Sequence, residues 1–224
     1  MSVRIEVVDQ GVVRIVLPGR AAHVYVFLGG KVALVDCGDE QSGHALLTAL
    51  SDLELPRQRI AFVVLTHEHA GHAGSAALFP EALVVAHSLA AAKLRHGDEA
   101  RTKLSGARAP DIELADGCAL RLGGFSFDIL HTPGHTSGSL CLYERSRALL
   151  VTGDTALARG TVPIVSQSGS SGDHIESLER LASLRARMLL PGHGPVSDDP
   201  VADLAAAAAA VRRRLTGAAE HVRV

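Results

Sequence analysis

Three histidines follow a run of apolar, mostly β-branched residues in the segment Val63-Val64-Leu65-Thr66-His67-Glu68-His69-Ala70-Gly71-His72. The apolar run, residues 60 to 66, predicts a buried strand. Because residues two apart in an extended chain point to the same side, His67 and His69 can face one point in space. The residues that follow favour the first turns of a helix, which lets His72 face that point too. Imidazole is a common zinc ligand and also suits iron, so the segment predicts a metal site.

Three later segments each place a metal-competent residue after a predicted strand. His135 follows Thr132-Pro133-Gly134, Asp154 follows Gly153, and His193 lies in Pro191-Gly192-His193-Gly194. The glycines permit unusual backbone angles and close approach, as expected where loops converge. Each signal alone is weak, because a single histidine after Pro-Gly is usually a loop residue. Together they predict that several strand ends meet at one site.

Two further polar residues are assigned a place behind these candidate ligands. Asp36 ends the predicted strand 32 to 36, beside Cys37-Gly38, and Thr66 directly precedes His67. A carboxylate at a strand end either caps a turn or hydrogen-bonds a metal ligand from behind, and both alternatives stay open for Asp36.

The order of predicted elements indicates two similar halves, each with strands first and helices later. Strands are predicted at 3–17 (a pair turning at 9–11), 23–28, 32–36, 60–66, 83–86, 119–122, 125–130, 140–143, 148–152 and 188–190. Helices are predicted at 43–53, 74–79, 88–95 and 200–215, and another starts at Asp173 as N-cap with Glu176 completing a capping box. Polar loops at 97–117 and 160–172, the second expected to be mobile, are candidate specificity elements. The pattern predicts a four-layer α/β sandwich in a single domain, residues 1–224.

Composition excludes several classes of partner. The net charge of −2, the absence of Trp and the scarcity of other aromatics disfavour nucleic-acid binding. The N-terminus has no signal-peptide pattern, and no stretch is long and apolar enough for a membrane span. Three cysteines without C-x-x-C spacing indicate reduced thiols, so we expect a cytoplasmic protein. We expect a homodimer, the commonest symmetric assembly, and a small molecule as the partner instead of a nucleic acid or a membrane.

The motifs T-H-x-H-x-x-H, H-T-P-G-H-T-x-G-S, G-D-T and P-G-H-G, in this order, resemble the metallo-β-lactamase superfamily. The V-D-C-G strand end resembles the same family. This resemblance implies an αββα sandwich with a metal site between two β-sheets. It implies that His67, His69 and His135 bind one metal, that Asp154 bridges, and that His72 and His193 bind a second metal.

The sequence departs from the family pattern H-x-H-x-D-H at one position, where Gly71 replaces the aspartate. The resemblance implies that this aspartate binds the second metal and orients the attacking hydroxide, and a glycine can do neither. Losing a carboxylate weakens the attraction for a second dication. We therefore expect one firmly held zinc and a second that is weak or absent. Glu68 is not a substitute ligand, because alternation points it away from His67 and His69.

A bound divalent metal supplies hydroxide at neutral pH and polarises a carbonyl, so no side-chain base is assigned, and Asp154 is a candidate orienter of the metal-bound water. The prediction is hydrolysis of an ester, thioester, lactone or amide, as in the small glyoxalase II-like and lactonase-like members that the chain resembles. One alternative is a mononuclear iron enzyme that oxidises persulfides. Another is a metal-binding relative whose catalysis is impaired. A serine hydrolase is unsupported because no G-x-S-x-G motif follows a strand.

Overall fold

The computed structural model describes residues 3–96 and 107–220. Its first sheet contains seven strands in chain order: β1 (Arg4–Asp9), β2 (Val12–Val16), β3 (Val24–Phe27), β4 (Val32–Val35), β5 (Ile60–Val64), β6 (Leu83–His87) and β7 (Ile112–Leu114). The pairs from β1 to β4 are antiparallel and joined by short turns. The pairs β4–β5, β5–β6 and β6–β7 are parallel. A helix lies in each of the three connections between these strands. The carboxyl ends of β4, β5 and β6 therefore lie at one edge of this sheet.

The second sheet contains five strands in the order β12-β11-β10-β9-β8. These strands are β8 (Ala119–Leu122), β9 (Phe125–His131), β10 (Leu140–Glu144), β11 (Leu149–Gly153) and β12 (Met188–Pro191). The β11–β12 pair is parallel, and helix α4 (Ser171–Ala182) lies in the long connection between these two strands. The carboxyl ends of β9, β11 and β12 accordingly lie at the same edge of the second sheet.

Three apolar clusters show how the two sheets and the helices are layered. The central cluster joins the facing sides of the sheets through Tyr25, Phe27, Phe125, Phe127 and Ile129. An outer cluster packs the first sheet against α1 (Gly43–Asp52) and α3 (Ser88–His96), and the other packs the second sheet against α4 (Ser171–Ala182) and α5 (Pro200–Glu220). A sheet that buries both faces needs apolar residues on both, as in β3, β4, β10 and β11. The result is the predicted helix–sheet–sheet–helix sandwich.

Most predicted strands agree with the structure to within two residues, and three local predictions were wrong. The helix predicted at 74–79 is a single helical turn, α2 (Ala70–Ala73), followed by a short 3₁₀ turn at Ala76–Leu78. The loop predicted at 97–117 contains strand β7, while residues 97–106 lie outside the described residues.

No helix among the described residues is long and apolar enough to cross a membrane.

The third wrong prediction is the N-cap of α4. The hydroxyl of Ser170, not the carboxylate of Asp173, caps this helix: it accepts a hydrogen bond from the Asp173 backbone N–H at 3.3 Å. Asp173 lies inside the first turn, where its negative charge is favourable to the helix dipole.

Candidate metal centre

Strand ends from both sheets deliver the six candidate ligands to one edge of the sandwich. His67 and His69 follow β5, and His72 lies on α2. His135, Asp154 and His193 follow β9, β11 and β12, so they come from the second sheet. A backbone hydrogen bond of 2.9 Å from Leu140 N–H to the Thr66 carbonyl fastens the two sheets together beside the site. We call these six residues the histidine cluster.

Three imidazole nitrogens of the histidine cluster converge closely. His69 Nδ1 lies 3.1 Å from His67 Nε2 and 3.0 Å from His135 Nε2. Three nitrogens bound tetrahedrally to one zinc, each at about 2.0–2.1 Å, would lie about 3.3 Å apart. All three side chains are buried and their nitrogens lie within 4.8 Å of one another, close enough for one metal ion to bind all three.

Asp154 lies between this triad and the remaining histidines. Its Oδ2 is 3.6 Å from His135 Nε2, while its Oδ1 is 3.4 Å from His72 Nε2 and 3.6 Å from His193 Nε2. The two carboxylate oxygens thus face different sides of the histidine cluster. The donor atoms of His67, His72 and Asp154 also lie within 4.8 Å of one another, whereas His193 belongs to neither compact group.

The chemistry of the donors fits a cation on both sides of Asp154. His72 Nε2 and Asp154 Oδ1 are buried and have no hydrogen-bond partner among the described residues. Buried polar atoms are rarely left unpaired, so these two atoms mark a place for a ligand. Gly192 keeps that place open, since a Cβ at this residue would lie 2.7 Å from Asp154 Oδ1 and 2.7 Å from His72 Cε1.

Asp36 holds His72 from behind. Its Oδ2 is 2.7 Å from His72 Nδ1 and accepts a hydrogen bond of 2.9 Å from the Thr66 hydroxyl, and its Oδ1 accepts from the Thr66 N–H at 2.8 Å. A proton on Nδ1 leaves Nε2 of His72 free to point into the site. The structure therefore favours a supporting position for Asp36 over a simple turn cap, with Thr66 between Asp36 and His67.

Electrostatics separate the histidines into two types. Burial and the neighbouring imidazoles hold the pKa of His67 well below its ordinary value, and burial lowers the pKa of His135 to about 4 despite the nearby Asp154. Burial alone would also lower the pKa of His72, but the carboxylates of Asp36 and Asp154 outweigh it and raise the pKa to about 10. Neutral imidazoles are the form that binds metal, so His67 and His135 are already in their ligating state.

Three supporting contacts were not predicted from the sequence. The backbone carbonyl of Ile164 lies 2.9 Å from His135 Nδ1 and orients that ring. His23, at the start of β3, lies 2.8 Å through its Nε2 from the Gly194 carbonyl, and its N–H donates to the Gly192 carbonyl at 2.8 Å. The backbone carbonyl that orients His135 leaves no mark in sequence, and a lone histidine such as His23 is weak evidence for a contact.

Glu68 lies outside the histidine cluster, as alternation along the chain predicts. Its carboxylate is fully buried, accepts a hydrogen bond of 2.5 Å from the Lys93 ammonium and another of 3.1 Å from the Thr136 hydroxyl. Glu68 therefore has a structural position: it lies between His67 and His69 in sequence, but its carboxylate binds Lys93 and Thr136.

Position 71 has room for a side chain. Gly71 has no unusual positive φ, and a Cβ there would lie 3.4 Å from the Arg20 carbonyl and 3.9 Å from the Ala22 nitrogen, which is ordinary contact. Neither backbone strain nor a close approach requires glycine at this position. The absence of the carboxylate is thus a property of the site and not a demand of the fold.

Comparison with known proteins identifies the class to which this fold and site belong. The family model described as the metallo-beta-lactamase superfamily matches residues 17–193, which include the whole histidine cluster. The chain belongs to the metallo-β-lactamase superfamily, whose members bind divalent metal.

Individual relatives are named as hydrolases. The chain is 35% identical over 207 residues to the acyl-coenzyme A thioesterase MBLAC2 of Gallus gallus, covering 78% of this chain and 73% of that protein. It is 35% identical over 144 residues to a hydroxyacylglutathione hydrolase of Anaeromyxobacter dehalogenans, covering 63% of this chain and 49% of that protein. Across several of the curated relatives, the chain spans only about half to two thirds of their length.

Among solved structures, the fold resembles a metallo-beta-lactamase family protein from Thermus thermophilus. The TM-score is 0.84 at 26% identity, covering 94% of this chain and 82% of that protein. The BLEG-1 B3 metallo-beta-lactamase matches with a TM-score of 0.71 at 24% identity, covering 84% of this chain and 94% of that protein, which supports the fold.

Proposed function

We propose that this protein is a metal-dependent hydrolase that cleaves an ester or thioester bond of a small molecule. The observation that carries the proposal is the convergence of the His67 and His135 nitrogens at 3.0–3.1 Å from His69 Nδ1, with Asp154 Oδ2 3.6 Å from His135 Nε2. The relatives named as an acyl-coenzyme A thioesterase and a hydroxyacylglutathione hydrolase support the choice of bond. Lactones and amides contain the same carbonyl chemistry and belong to the test panel.

In this proposal, His67, His69, His135 and Asp154 would hold the first cation. His72 and His193, which lie near Asp154 Oδ1, would hold the second, weaker one. A bound divalent cation lowers the pKa of water to about 7 and polarises a carbonyl oxygen. Asp154 is the residue placed to accept a hydrogen bond from the attacking water. Asp36 and the Ile164 carbonyl keep His72 and His135 in their orientations.

The first experiment measures metal per chain and element identity in protein purified without added metal, together with hydrolysis of ester, thioester, lactone and amide substrates. We expect about one zinc per chain, and we expect His69→Ala to lose both the metal and the hydrolysis. His44→Ala is the matched control, because His44 is exposed on α1 and lies outside the histidine cluster.

Other results would select the alternatives. Iron in place of zinc, with persulfide consumption and no hydrolysis, would make the protein an oxidative enzyme. An occupied site with no turnover on the whole panel would indicate a catalytically impaired relative. Two firmly bound zinc ions per chain would show that Gly71 does not weaken the second position.

Gly71→Asp tests the weak second position directly. A Cβ fits at residue 71 without a clash, so the variant should fold like the parent chain. The added carboxylate should tighten binding of a second zinc by at least about tenfold, because it restores an anionic ligand. Titration with a second equivalent of zinc against a chromogenic chelator gives the affinity. An unchanged second affinity would mean that residue 71 does not reach the cation.

A further inference from the structure

Two cavities share Arg20 as a lining residue. One, of about 460 Å³, lies over the histidine cluster and is also lined by Gly71, Pro163 and Ile164. The other, of about 480 Å³, is lined by Pro18, Arg20, Asp39 and Gln41. A ligand that reaches from the histidine cluster into the second cavity therefore passes Arg20.

The charge of Arg20 is not compensated within the part of the chain that the structure describes. Arg20 is exposed, and among these residues no hydrogen bond or ion pair engages its guanidinium, in contrast to Arg14, which pairs with Glu6. Asp39, the acidic residue that lines the second cavity, has another partner: its carboxylate accepts a hydrogen bond of 2.7 Å from the Ser42 N–H. Arg20 therefore keeps its donors for a ligand.

Gly71 increases the positive character of the same cavity. The strip from Arg20 to Ala22 lies against Gly71, since the Ala22 N–H donates to the Gly71 carbonyl at 2.9 Å. A carboxylate at position 71 would share the cavity with the Arg20 side chain and offset its charge. With glycine there, Asp154 is the only carboxylate among the described residues that line the cavity.

Part of the lining is apolar. Pro163 and Ile164 line the cavity, and Ile164 is 83% exposed although it is a large hydrophobic residue. The Ile164 carbonyl lies 2.9 Å from His135 Nδ1, so the backbone at this residue is held beside the histidine cluster. Exposed apolar residues and an arginine in one lining favour a ligand with an apolar part and an anionic part.

We propose that the substrate carries an anionic oxygen group, a carboxylate or a phosphate, that pairs with Arg20. Its apolar part contacts Pro163 and Ile164, and its scissile carbonyl lies between them at the histidine cluster. Arginine can donate two parallel hydrogen bonds to either anion, so the pair is oriented by geometry as well as held by charge. This inference rests on the proposed function, because it assumes that the bond is broken at that cluster.

The kinetic test compares substrates that differ only in the anion. S-butyryl-3-mercaptopropionate is paired with neutral S-butyryl-3-mercaptopropionamide, and S-butyryl-4′-phosphopantetheine with S-butyryl-pantetheine. In the parent protein, we expect kcat/KM to favour the anionic member of at least one pair by about tenfold. The pair that shows the preference identifies carboxylate or phosphate. Equal kcat/KM values within both pairs would overturn the inference and leave the hydrolase standing.

The variant test uses two charge-matched substitutions. Arg20→Gln should reduce the anionic-to-neutral ratio of kcat/KM by about tenfold. Arg59→Gln removes the same charge from an exposed arginine just before β5, at the strand end opposite the histidine cluster, and should leave the ratio unchanged. An equal ratio in Arg20→Gln and the parent chain would overturn the inference.

A binding measurement separates this inference from the proposed function. S-(2-oxopentyl)-3-mercaptopropionate has a methylene between the carbonyl carbon and sulfur, so it cannot be cleaved as a thioester. Calorimetry should show binding that weakens about tenfold in Arg20→Gln and weakens with added salt. If no substrate of the panel is cleaved but this loss is seen, the anion site stands and the hydrolase fails. S-(2-oxopentyl)-4′-phosphopantetheine is the phosphate counterpart, and binding of both ketones that is absent, or equal in both proteins, overturns the anion site.

Discussion

Asp36 is a single residue that supports two parts of the histidine cluster. It follows β4 with a φ of 60°, a left-handed conformation that aspartate tolerates better than most side chains. From this position its carboxylate reaches His72 Nδ1 and both the N–H and the hydroxyl of Thr66. An amide in its place presents one oxygen that accepts and one nitrogen that cannot.

We expect Asp36→Asn to weaken binding of a second metal by about 10- to 100-fold, because His72 loses the acceptor that fixes its proton on Nδ1. The free energy of unfolding should fall by about 1–3 kcal/mol, since a buried donor loses its partner. Competition with a chelator measures the metal, and urea unfolding measures stability. Asp52→Asn, at the exposed end of α1, is the control; equal metal affinity in both variants would contradict the supporting position of Asp36.

His87 gives a pH dependence that can be assigned to one residue. Its ring stacks on His131, with centroids 3.9 Å apart and an 8° interplanar angle, and its Nδ1 accepts from the Leu89 N–H at 3.3 Å. Burial, followed by the proximity of His131, lowers the pKa of His87 to about 4, against weaker opposing effects of Asp116 and Glu68. The folded chain thus keeps His87 neutral where an unfolded chain protonates it.

Between pH 6.5 and 4 the unfolded chain therefore binds more protons at His87, and stability falls as the pH falls. In His87→Gln, the drop in the free energy of unfolding between pH 6.5 and 4 should be smaller by about 1 kcal/mol. Urea unfolding at several pH values gives the slope for each protein. His44→Gln, on the exposed face of α1, should keep the parent slope; parallel curves for the parent and His87→Gln would refute the assignment.

At the scale of elements, the cap of α4 links helix stability to the metal loop. The Ser170 hydroxyl accepts from the Asp173 N–H, and the Ser170 N–H donates to the Gly134 carbonyl at 3.0 Å, beside His135. We expect Ser170→Ala to lower the free energy of unfolding by about 1 kcal/mol, and Asp173→Ala by only about 0.3–0.5 kcal/mol. Thermal unfolding of the two variants gives the comparison, and a larger loss in Asp173→Ala would restore Asp173 as the cap.

The sequence predicted best those elements whose conformation is determined by their own residues and not by distant contacts. Strands such as β3 and β11 contain continuous apolar residues between turn residues, and their bounds followed from that pattern. Strand β7 was missed because its three residues are defined by pairing with β6, which is not visible in Ile112-Glu113-Leu114. The cap of α4 was misplaced by three residues because Ser170 and Asp173 are both good caps, and only the path of the chain selects one.

The candidate site shows the same division between local and distant information. The six residues of the histidine cluster were selected from motifs at strand ends, and the structure brings them together. Neither the Ile164 carbonyl behind His135 nor the shared cavities at Arg20 could be predicted, because each depends on segments that are separated in sequence and meet in space.

At the scale of the whole molecule, Glu68 and Lys93 connect the two halves of the sandwich. Glu68 lies between two candidate ligands of the first sheet, and Lys93 lies on α3. The Lys93 ammonium also donates to the Ser168 hydroxyl at 2.6 Å, and Glu68 accepts from Thr136, so both residues contact the second half of the chain. The ion pair is buried, with the Lys93 side chain 16% exposed and Glu68 fully enclosed.

Removing one member of this pair should be costly, since the other remains as a buried charge. We expect Lys93→Met to lower the free energy of unfolding by about 3 kcal/mol. The double variant Glu68→Gln/Lys93→Met should lose about 1–3 kcal/mol less than the sum of the losses in the two single variants. The exposed pair Arg95–Glu113 is the matched control, and its coupling energy should stay below about 1 kcal/mol. Urea unfolding of both double-mutant cycles measures the coupling. Equal coupling in the two pairs would show that burial gives Glu68 and Lys93 no special part in joining the halves.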